Sequence, residues 1–323
     1  MYELNQTEIL ITGATGFVGS RLWQRAHNAG LKVRRVLRND VGKGKNEIEI
    51  GEIGPYTNWT VALKGIKIVV HLAARVHVMK DEADDPLVEF RRVNVEGTLN
   101  MARQAAHAGV KRLIFVSSIK VNGEFTQPGK PFTAFDIPNP QDAYAISKSE
   151  AEQGLHEIEK ETGLEVVIIR PPLVYGPGVK ANFLSLMQAV QKGLPLPLGL
   201  VKNKRSLAAL DNLLDLIMTC INHTEASGQT FLVSDGEDLS TQKLIRKLAK
   251  AMGKKPRLLP VPPALLRLGG IITGKKAEVD RLIASLQLDI NHTREVLGWR
   301  PRLTVEQGLS EAVIGSVLGT KMK

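Results

Sequence analysis

Three glycines at three-residue intervals, directly after a short apolar run, constrain this chain more than any other feature. The run is Glu8-Ile-Leu-Ile-Thr12, and it continues as Gly13-Ala-Thr-Gly16-Phe-Val-Gly19. A strand that turns on glycine and opens a helix gathers unpaired backbone N–H groups and a positive helix end at one point, which suits a pyrophosphate. Gly13 allows the tight turn, Gly16 lets backbone approach the phosphates, and Gly19 lets helix pack on strand. The other reading of the same residues is a purely structural glycine turn. The turn makes Gly13, Thr15, Gly16, Phe17, Val18 and Gly19 candidates for binding a dinucleotide.

The rest of the first half repeats the pattern. Val/Ile/Leu-rich runs at 32–37, 66–72, 112–116 and 165–169 are separated by helix-length segments. Such continuous apolar runs mark parallel strands covered on both faces. Helices are expected at 17–29, 86–108 and 142–162, each followed by a glycine able to close it: Gly30, Gly109 and Gly163. The fold class is therefore α/β, a Rossmann-type doubly wound parallel sheet. After Tyr175 the alternation fades among prolines, which indicates a smaller α/β substrate-binding part. The expected division is a dinucleotide-binding domain at 1–175, with a later strand returning to it near 205–235, and a mainly substrate-binding domain at 176–323.

Composition narrows the partners. Among 323 residues, 43 are Lys or Arg and 33 Asp or Glu, a net charge of +10, which favours anionic ligands. Aromatics are only 5%, and no zinc-finger or RNA-binding signature occurs, so nucleic acid is not expected as a partner. Cys220 is the sole cysteine and lies in an apolar stretch, which implies a core position, no disulfide and no cysteine metal site. The opening residues are polar and no apolar run reaches 18 residues, so neither a secretory signal nor membrane insertion is expected, and the cytoplasm is the expected location. The apolar stretch 261–274 is interrupted by prolines, Arg267 and glycines, and reads as a packed or lid segment.

The end of the second strand bears on which dinucleotide binds. An acidic residue there suits the ribose 2′-hydroxyl of NAD. This chain instead offers Arg34, Arg35 and Arg38, then Asn39. Guanidinium groups suit a 2′-phosphate, so NADP(H) is favoured, with NAD(H) left open through Asp40. The arginines also read as a solvated face. Glu52 is placed to accept a hydrogen bond from adenine.

Tyr144 and Lys148 are four residues apart within an expected helix and so share a face. An ammonium beside a phenol stabilises the phenolate and lowers its pKa toward the working range. Ser118 follows the run 112–116, at the crevice end of its strand. His71 and His77 have no evident partner and read as core or surface residues.

With these residues in hand, the chain resembles the extended short-chain dehydrogenase/reductase family of nucleotide-sugar epimerases, reductases and dehydratases. The resemblance rests on the glycine turn, His71-Leu-Ala-Ala74, Asn94-Val-Glu-Gly-Thr98, Val116-Ser-Ser118, Tyr144-x-x-x-Lys148, Arg170-Pro-Pro-Leu-Val-Tyr-Gly-Pro177 and Leu297-Gly-Trp-Arg-Pro301. It implies a Ser118, Tyr144 and Lys148 catalytic triad. It implies cofactor contacts from Ile53, Leu72, Ala73, Ala74, Asn94, Val116 and Pro171, with Lys148 also holding the nicotinamide ribose. It implies substrate contacts from Asn182, Phe183, Leu196, Leu198 and, on the diphosphate, Arg205. A homodimer, formed by pairing the Tyr144 helix and the long helix before it, is also implied.

Departures from the family pattern select the reaction. The family's 4,6-dehydratases carry an acidic pair after the serine, where this chain has Ile119 and Lys120, and related decarboxylases place glutamate there. The 3,5-epimerizing reductases need a Cys/His pair. What remains is chemistry at C4 of a UDP-sugar. The arginines favour a reductase. The strings Ser117-Ser-Ile-Lys-Val-Asn-Gly-Glu124 and Arg170-Pro-Pro-Leu-Val-Tyr-Gly-Pro-Gly178 resemble the subgroup that reduces a UDP-4-keto-6-deoxy-hexosamine for surface polysaccharide (O-antigen or capsule) synthesis, which the resemblance therefore implies as the reaction. UDP-glucose or UDP-GlcNAc 4-epimerisation with bound NAD is the alternative, and a non-catalytic dinucleotide sensor is more remote. Leu173 replaces the asparagine that binds diphosphate in epimerases, and Lys120 is either a substrate contact or a solvated cation.

Overall fold

The computed structural model describes residues 8–39, 44, 46–76 and 85–321; Asp40 and His77 lie outside them. Seven strands form one parallel sheet: β1 (Glu8–Thr12), β2 (Lys32–Leu37), β3 (Glu47–Glu49), β4 (Ile68–His71), β5 (Arg112–Val116), β6 (Glu165–Arg170) and β9 (Thr230–Leu232). Their spatial order is β3-β2-β1-β4-β5-β6-β9, and every pairing is parallel. The doubly wound sheet expected from the apolar runs is thus what the chain forms. The order reverses between β1 and β4, the crevice where such sheets bind ligands. The last strand, β9, comes from far along the chain and joins β6. A second, two-stranded parallel sheet pairs β7 (Leu173–Tyr175) with β8 (Leu207–Ala209).

Twelve α-helices follow the chain among the described residues: α1 (Phe17–Asn28), α2 (Thr60–Leu63), α3 (Pro86–Phe90), α4 (Gly97–His107), α5 (Ala143–Thr162), α6 (Ala181–Gln191), α7 (Leu210–Asn222), α8 (Thr241–Ala251), α9 (Pro263–Ile272), α10 (Lys276–Ile283), α11 (Asn291–Leu297) and α12 (Val305–Lys321). The sheet has an apolar cluster on each face. One gathers Leu10, Val69, Phe115 and Leu155; the other gathers Ile9, Val70, Ile114 and α7 with Cys220. Cys220 is fully buried, and burial pushes its thiol up to about 12. A third cluster joins α6, α8, α12, Tyr175 and Leu207 beyond the sheet.

The helix expected at 86–108 has a structural break within it. Asp85 caps α3 by accepting from Leu87 N at 2.9 Å, with Pro86 in the first turn. A π-helical stretch, Arg91–Glu96, then joins α3 to α4. Residue counting alone cannot distinguish such a widened turn from a regular one. Here it carries Asn94 into the interior.

Asp235 links the two sheets. Its carboxylate accepts from Tyr175 Oη at 2.7 Å, Ala209 N at 2.7 Å and Asn212 Nδ2 at 2.8 Å, and Asn212 in turn binds the backbone of Arg302 and Leu303. Asp235→Ala would remove the acceptor shared by three buried donors, so unfolding in urea should show a loss of at least about 2 kcal/mol. An unchanged urea midpoint would refute this account of the junction.

Candidate active site

The glycine turn is shaped by close contact. Gly13 has φ +65°, and a Cβ there would lie 2.8 Å from Ala73 N. A Cβ on Gly19 would lie 2.2 Å from the Gly13 carbonyl oxygen. Only hydrogen fits at either position, so α1 presses directly on the end of β1. Gly16 is the N-cap of α1, with no side-chain cap and no acid in the first turn. Thr15 and Gly16 are exposed, and Phe17 and Val18 are half-buried. An uncapped helix start over a Cβ-free turn fits a dinucleotide pyrophosphate.

Thr12 fastens this turn to the next strand. Its hydroxyl pairs with His71 Nδ1 at 2.8 Å and accepts from Leu72 N and Ala73 N at 3.2 Å each. His71 Nε2 pairs with Thr98 Oγ1 at 3.0 Å. Burial, and then the Lys148 charge, bring the His71 imidazole down to about 3, so it is a neutral core group. Leu72, Ala73 and Ala74 consequently line the crevice beside Gly13, all half-buried.

Asn94 occupies this crevice differently from the expected cofactor contact. Its Oδ1 accepts from Arg75 N at 2.8 Å, and its Nδ2 donates to Arg75 O and to Ser147 Oγ, each at 3.0 Å. Ser147 Oγ donates to Tyr144 O at 2.8 Å. Both donors of the Asn94 amide are engaged within the chain. It therefore clamps the segment after β4 to α5.

The arginine cluster expected at the end of β2 is dispersed. Alternation along a strand sends neighbouring side chains to opposite faces. Arg34 donates to Ala62 O and Lys64 O at 2.8 Å each and pairs with Glu8. Arg35 pairs with Glu47 and lies 3.9 Å over the Trp23 ring. Only Arg38 remains exposed past the strand, with no ion pair to a described residue. Glu52 is exposed, 3.9 Å from Arg92, and Ile53 is half-buried against Gly97.

Ser118 lies two residues past the end of β5 and caps a short 3-10 turn, Ile119–Val121, accepting from Lys120 N at 3.2 Å. Val116 is half-buried and Pro171 buried at neighbouring strand ends. Asp142 caps α5, accepting from Ala145 N at 2.7 Å. Lys120 Nζ bonds the same Asp142 carboxylate and lies 3.6 Å from Glu124. This ion pair ties the Ser118 turn to the start of the helix bearing Tyr144. A second tie is buried: Arg170 binds Glu152 of α5 and donates to Asn122 at 2.9 Å. Asp142, Glu152 and Asn122 were not anticipated as organisers of the site. Only Asp142 carried a readable signal, an N-cap residue before a helical run.

Tyr144 and Lys148 lie one turn apart on α5, as expected, but their charges behave differently. Burial, and then the Asp142 carboxylate, push the Tyr144 phenol up to about 12. Lys148 Nζ lies 3.9 Å over the Phe115 ring, and burial brings its ammonium down to about 7, with Glu152 acting against the shift. The expected lowering of the phenol by the ammonium does not appear: burial and the Asp142 carboxylate both act to raise it. No hydrogen bond joins Ser118, Tyr144 and Lys148 to one another.

The candidate substrate contacts divide. Asn182 is exposed in the first turn of α6, just after Ala181 at φ +53°. Phe183 and Leu198 have their side chains in the third core. Phe183 is buried and stacked on Tyr175 at 5.4 Å, and Leu198 is buried in the same core, where apolar side chains gain most by burial. Leu196 is half-buried and exchanges backbone bonds with Arg257 and Leu259 at 2.8 Å. Arg205 donates to Arg281 O at 2.8 Å and to Ala284 O at 3.3 Å. Leu173 is exposed.

Residues 9–234 match the NAD dependent epimerase/dehydratase family. The chain belongs to that family, whose members are enzymes built around a nicotinamide dinucleotide. It is 50% identical, over 94% of its length and 93% of the relative's, to a UDP-glucose 4-epimerase of Vibrio cholerae. Among solved structures, a UDP-glucuronic acid 4-epimerase from Bacillus cereus in complex with NAD shares the fold with a TM-score of 0.78 at 20% identity, covering 98% of this chain and 99% of that one. RMD from Pseudomonas aeruginosa complexed with NADPH shares it with a TM-score of 0.74 at 21% identity, covering 96% and 98%.

Lys148 gives this site a pH signature. Its folded value of about 7 lies below the ordinary 10.5, so between these limits the unfolded chain binds more protons than the folded one. Stability should rise with pH across that window, and below it the full cost of burying the ammonium is present. Lys148→Met should flatten the rise, measured by chemical denaturation from pH 7 to 10. A variant as pH-dependent as the wild type would contradict the assignment.

Proposed function

We propose that this chain is a UDP-hexose 4-epimerase that oxidises and re-reduces C4 of the sugar with a nicotinamide dinucleotide. The observation that carries this reading is the 50% identity, over almost the full length, to a protein described as a UDP-glucose 4-epimerase. The site is consistent with it. Ser118 stands at a strand end facing the crevice, and Tyr144 and Lys148 stand on one face of the helix tied to it. Ile119 is buried and Lys120 is ion-paired, so no carboxylate directly follows Ser118 to catalyse elimination of water.

The chain's own groups have distinct roles in this reading. The glycine turn and the α1 N-terminus hold the pyrophosphate, and Lys148 Nζ holds ribose hydroxyls. Tyr144 Oη takes the C4 hydroxyl proton as the carbonyl forms and returns it as the alcohol is restored, while Ser118 Oγ hydrogen-bonds the same oxygen. When bound, the dinucleotide would supply the hydride acceptor and donor for C4. Residues 1–175 with β9 supply the cofactor side, and most sugar-nucleotide contacts come from 176–323. Pairing of α4 and α5 across a two-fold axis would make the enzyme a homodimer.

A second reading, reduction of a UDP-4-keto-6-deoxy-hexosamine for surface polysaccharide, is favoured by one feature, the exposed Arg38. Two of the three arginines that suggested a 2′-phosphate site are engaged elsewhere, which moves the balance toward NAD.

Purified protein incubated with UDP-glucose or UDP-GlcNAc should interconvert C4 isomers without net consumption of reduced dinucleotide. Tyr144→Phe should lose at least a hundredfold in turnover, about 2.7 kcal/mol, while still binding dinucleotide. Stoichiometric NADPH loss with a 4-keto sugar, and no isomer interconversion, would establish the reductase instead. Near-normal turnover by Tyr144→Phe would remove its assigned role.

A further inference from the structure

The segment 261–274, expected to be packed or to act as a lid, forms a helix whose apolar side faces solvent. Of the ten residues in α9 only Gly270 is buried. Leu265 is 58% exposed, Leu268 54%, Ile271 58% and Ile272 77%. At about 100° per residue these four and Ala264 fall within roughly 120° of the helix circumference. The opposite side is docked. A Cβ on Gly270 would lie 2.9 Å from Val279 of α10, Leu266 packs on the third core, and Arg267 pairs with Asp280 at 3.1 Å. The stripe is therefore held outward by the fold.

Charge around this helix is mainly positive, the nearby acids being Glu278 and Asp280 of α10, of which Asp280 is paired with Arg267. Lys254, Lys255, Arg257, Arg267, Lys275 and Lys276 are all exposed, and no Asp or Glu occurs from 254 to 277. An outward apolar stripe framed by an excess of cations matches an anionic lipid surface, where apolar side chains enter the headgroup boundary and cations meet phosphate. At ten residues α9 is about 15 Å long, half of what spanning requires. No helix among the described residues is long and apolar enough to cross a membrane.

We propose that α9 and its flanking lysines and arginines form a reversible, in-plane docking surface for an anionic bilayer. The surface adjoins the site's outer rim. Phe125, Ile271, Lys276 and Ala284 line a cavity of about 400 Å³, and Glu124, next to Phe125, lies 3.6 Å from Lys120 and 3.8 Å from Arg281. Docking there sets the sugar-nucleotide site close to the bilayer surface.

The test is co-sedimentation of the full chain with vesicles of phosphatidylcholine alone or mixed with phosphatidylglycerol. Partitioning to the mixed vesicles should be at least tenfold stronger and should weaken as salt rises. Leu268→Glu should reduce it at least tenfold while leaving solution activity on sugar nucleotide and the urea midpoint unchanged. Lys275→Glu with Lys276→Glu, which keeps the apolar stripe, should reduce it as well. Equal binding to both vesicles, or none to the anionic ones, overturns the proposal. So does concentration-dependent self-association abolished by Leu268→Glu without vesicle binding, which would make the face an interface between copies of the chain.

Discussion

The contact of Gly19 with the Gly13 carbonyl sets the geometry on which the site depends. A single added carbon at Gly19 would lie 2.2 Å from that oxygen, and one at Gly13 would run into the backbone of Ala73. Real Cβ atoms do not approach so closely. The absence of side chains therefore brings β1, α1 and the end of β4 within backbone distance. Thr12 then joins β1 to the segment after β4 through one hydroxyl. The reversal point of the sheet becomes a rigid crevice with an uncapped helix start at its floor.

Positioning of Ser118 and Tyr144 follows from charge pairs set behind them. Ser118 belongs to a turn and Tyr144 to a helix, and sequence distance alone leaves their separation free. Lys120 with Asp142, and Arg170 with Glu152 and Asn122, tie turn, helix and β6 together. The Arg170–Glu152 pair is nearly excluded from water, where desolvation offsets much of its attraction, so its contribution lies in fixing geometry more than in stability. The Asn94, Ser147 and Tyr144 chain fastens the same helix from the other side.

Much of this was legible in the residues. The strands, the glycine turn and the helix carrying Tyr144 follow from periodicity and from glycine, which are local properties. The π-helical stretch at 91–96 was hidden, because one widened turn does not change the apolar pattern. The fate of Arg34 and Arg35 was hidden too. Their type suggested a phosphate site, but Glu8, Glu47 and the carbonyls at the end of α2 reach them only through sheet pairing and packing. Phe183 and Leu198 read as ligand contacts by position in a motif, whereas their side chains complete a core assembled from α6, α8 and α12. The ionic tie made by Lys120 needed both the turn after β5 and the cap of α5 in place.

The central claim is that one carbon of a sugar nucleotide loses and regains the same hydrogen at this crevice. The direct measurement follows UDP-glucose deuterated at C4 through conversion to its C4 isomer, with no reduced dinucleotide added. The account predicts product that keeps deuterium at C4. Label lost to water, or conversion that proceeds only with stoichiometric reduced dinucleotide, would contradict it.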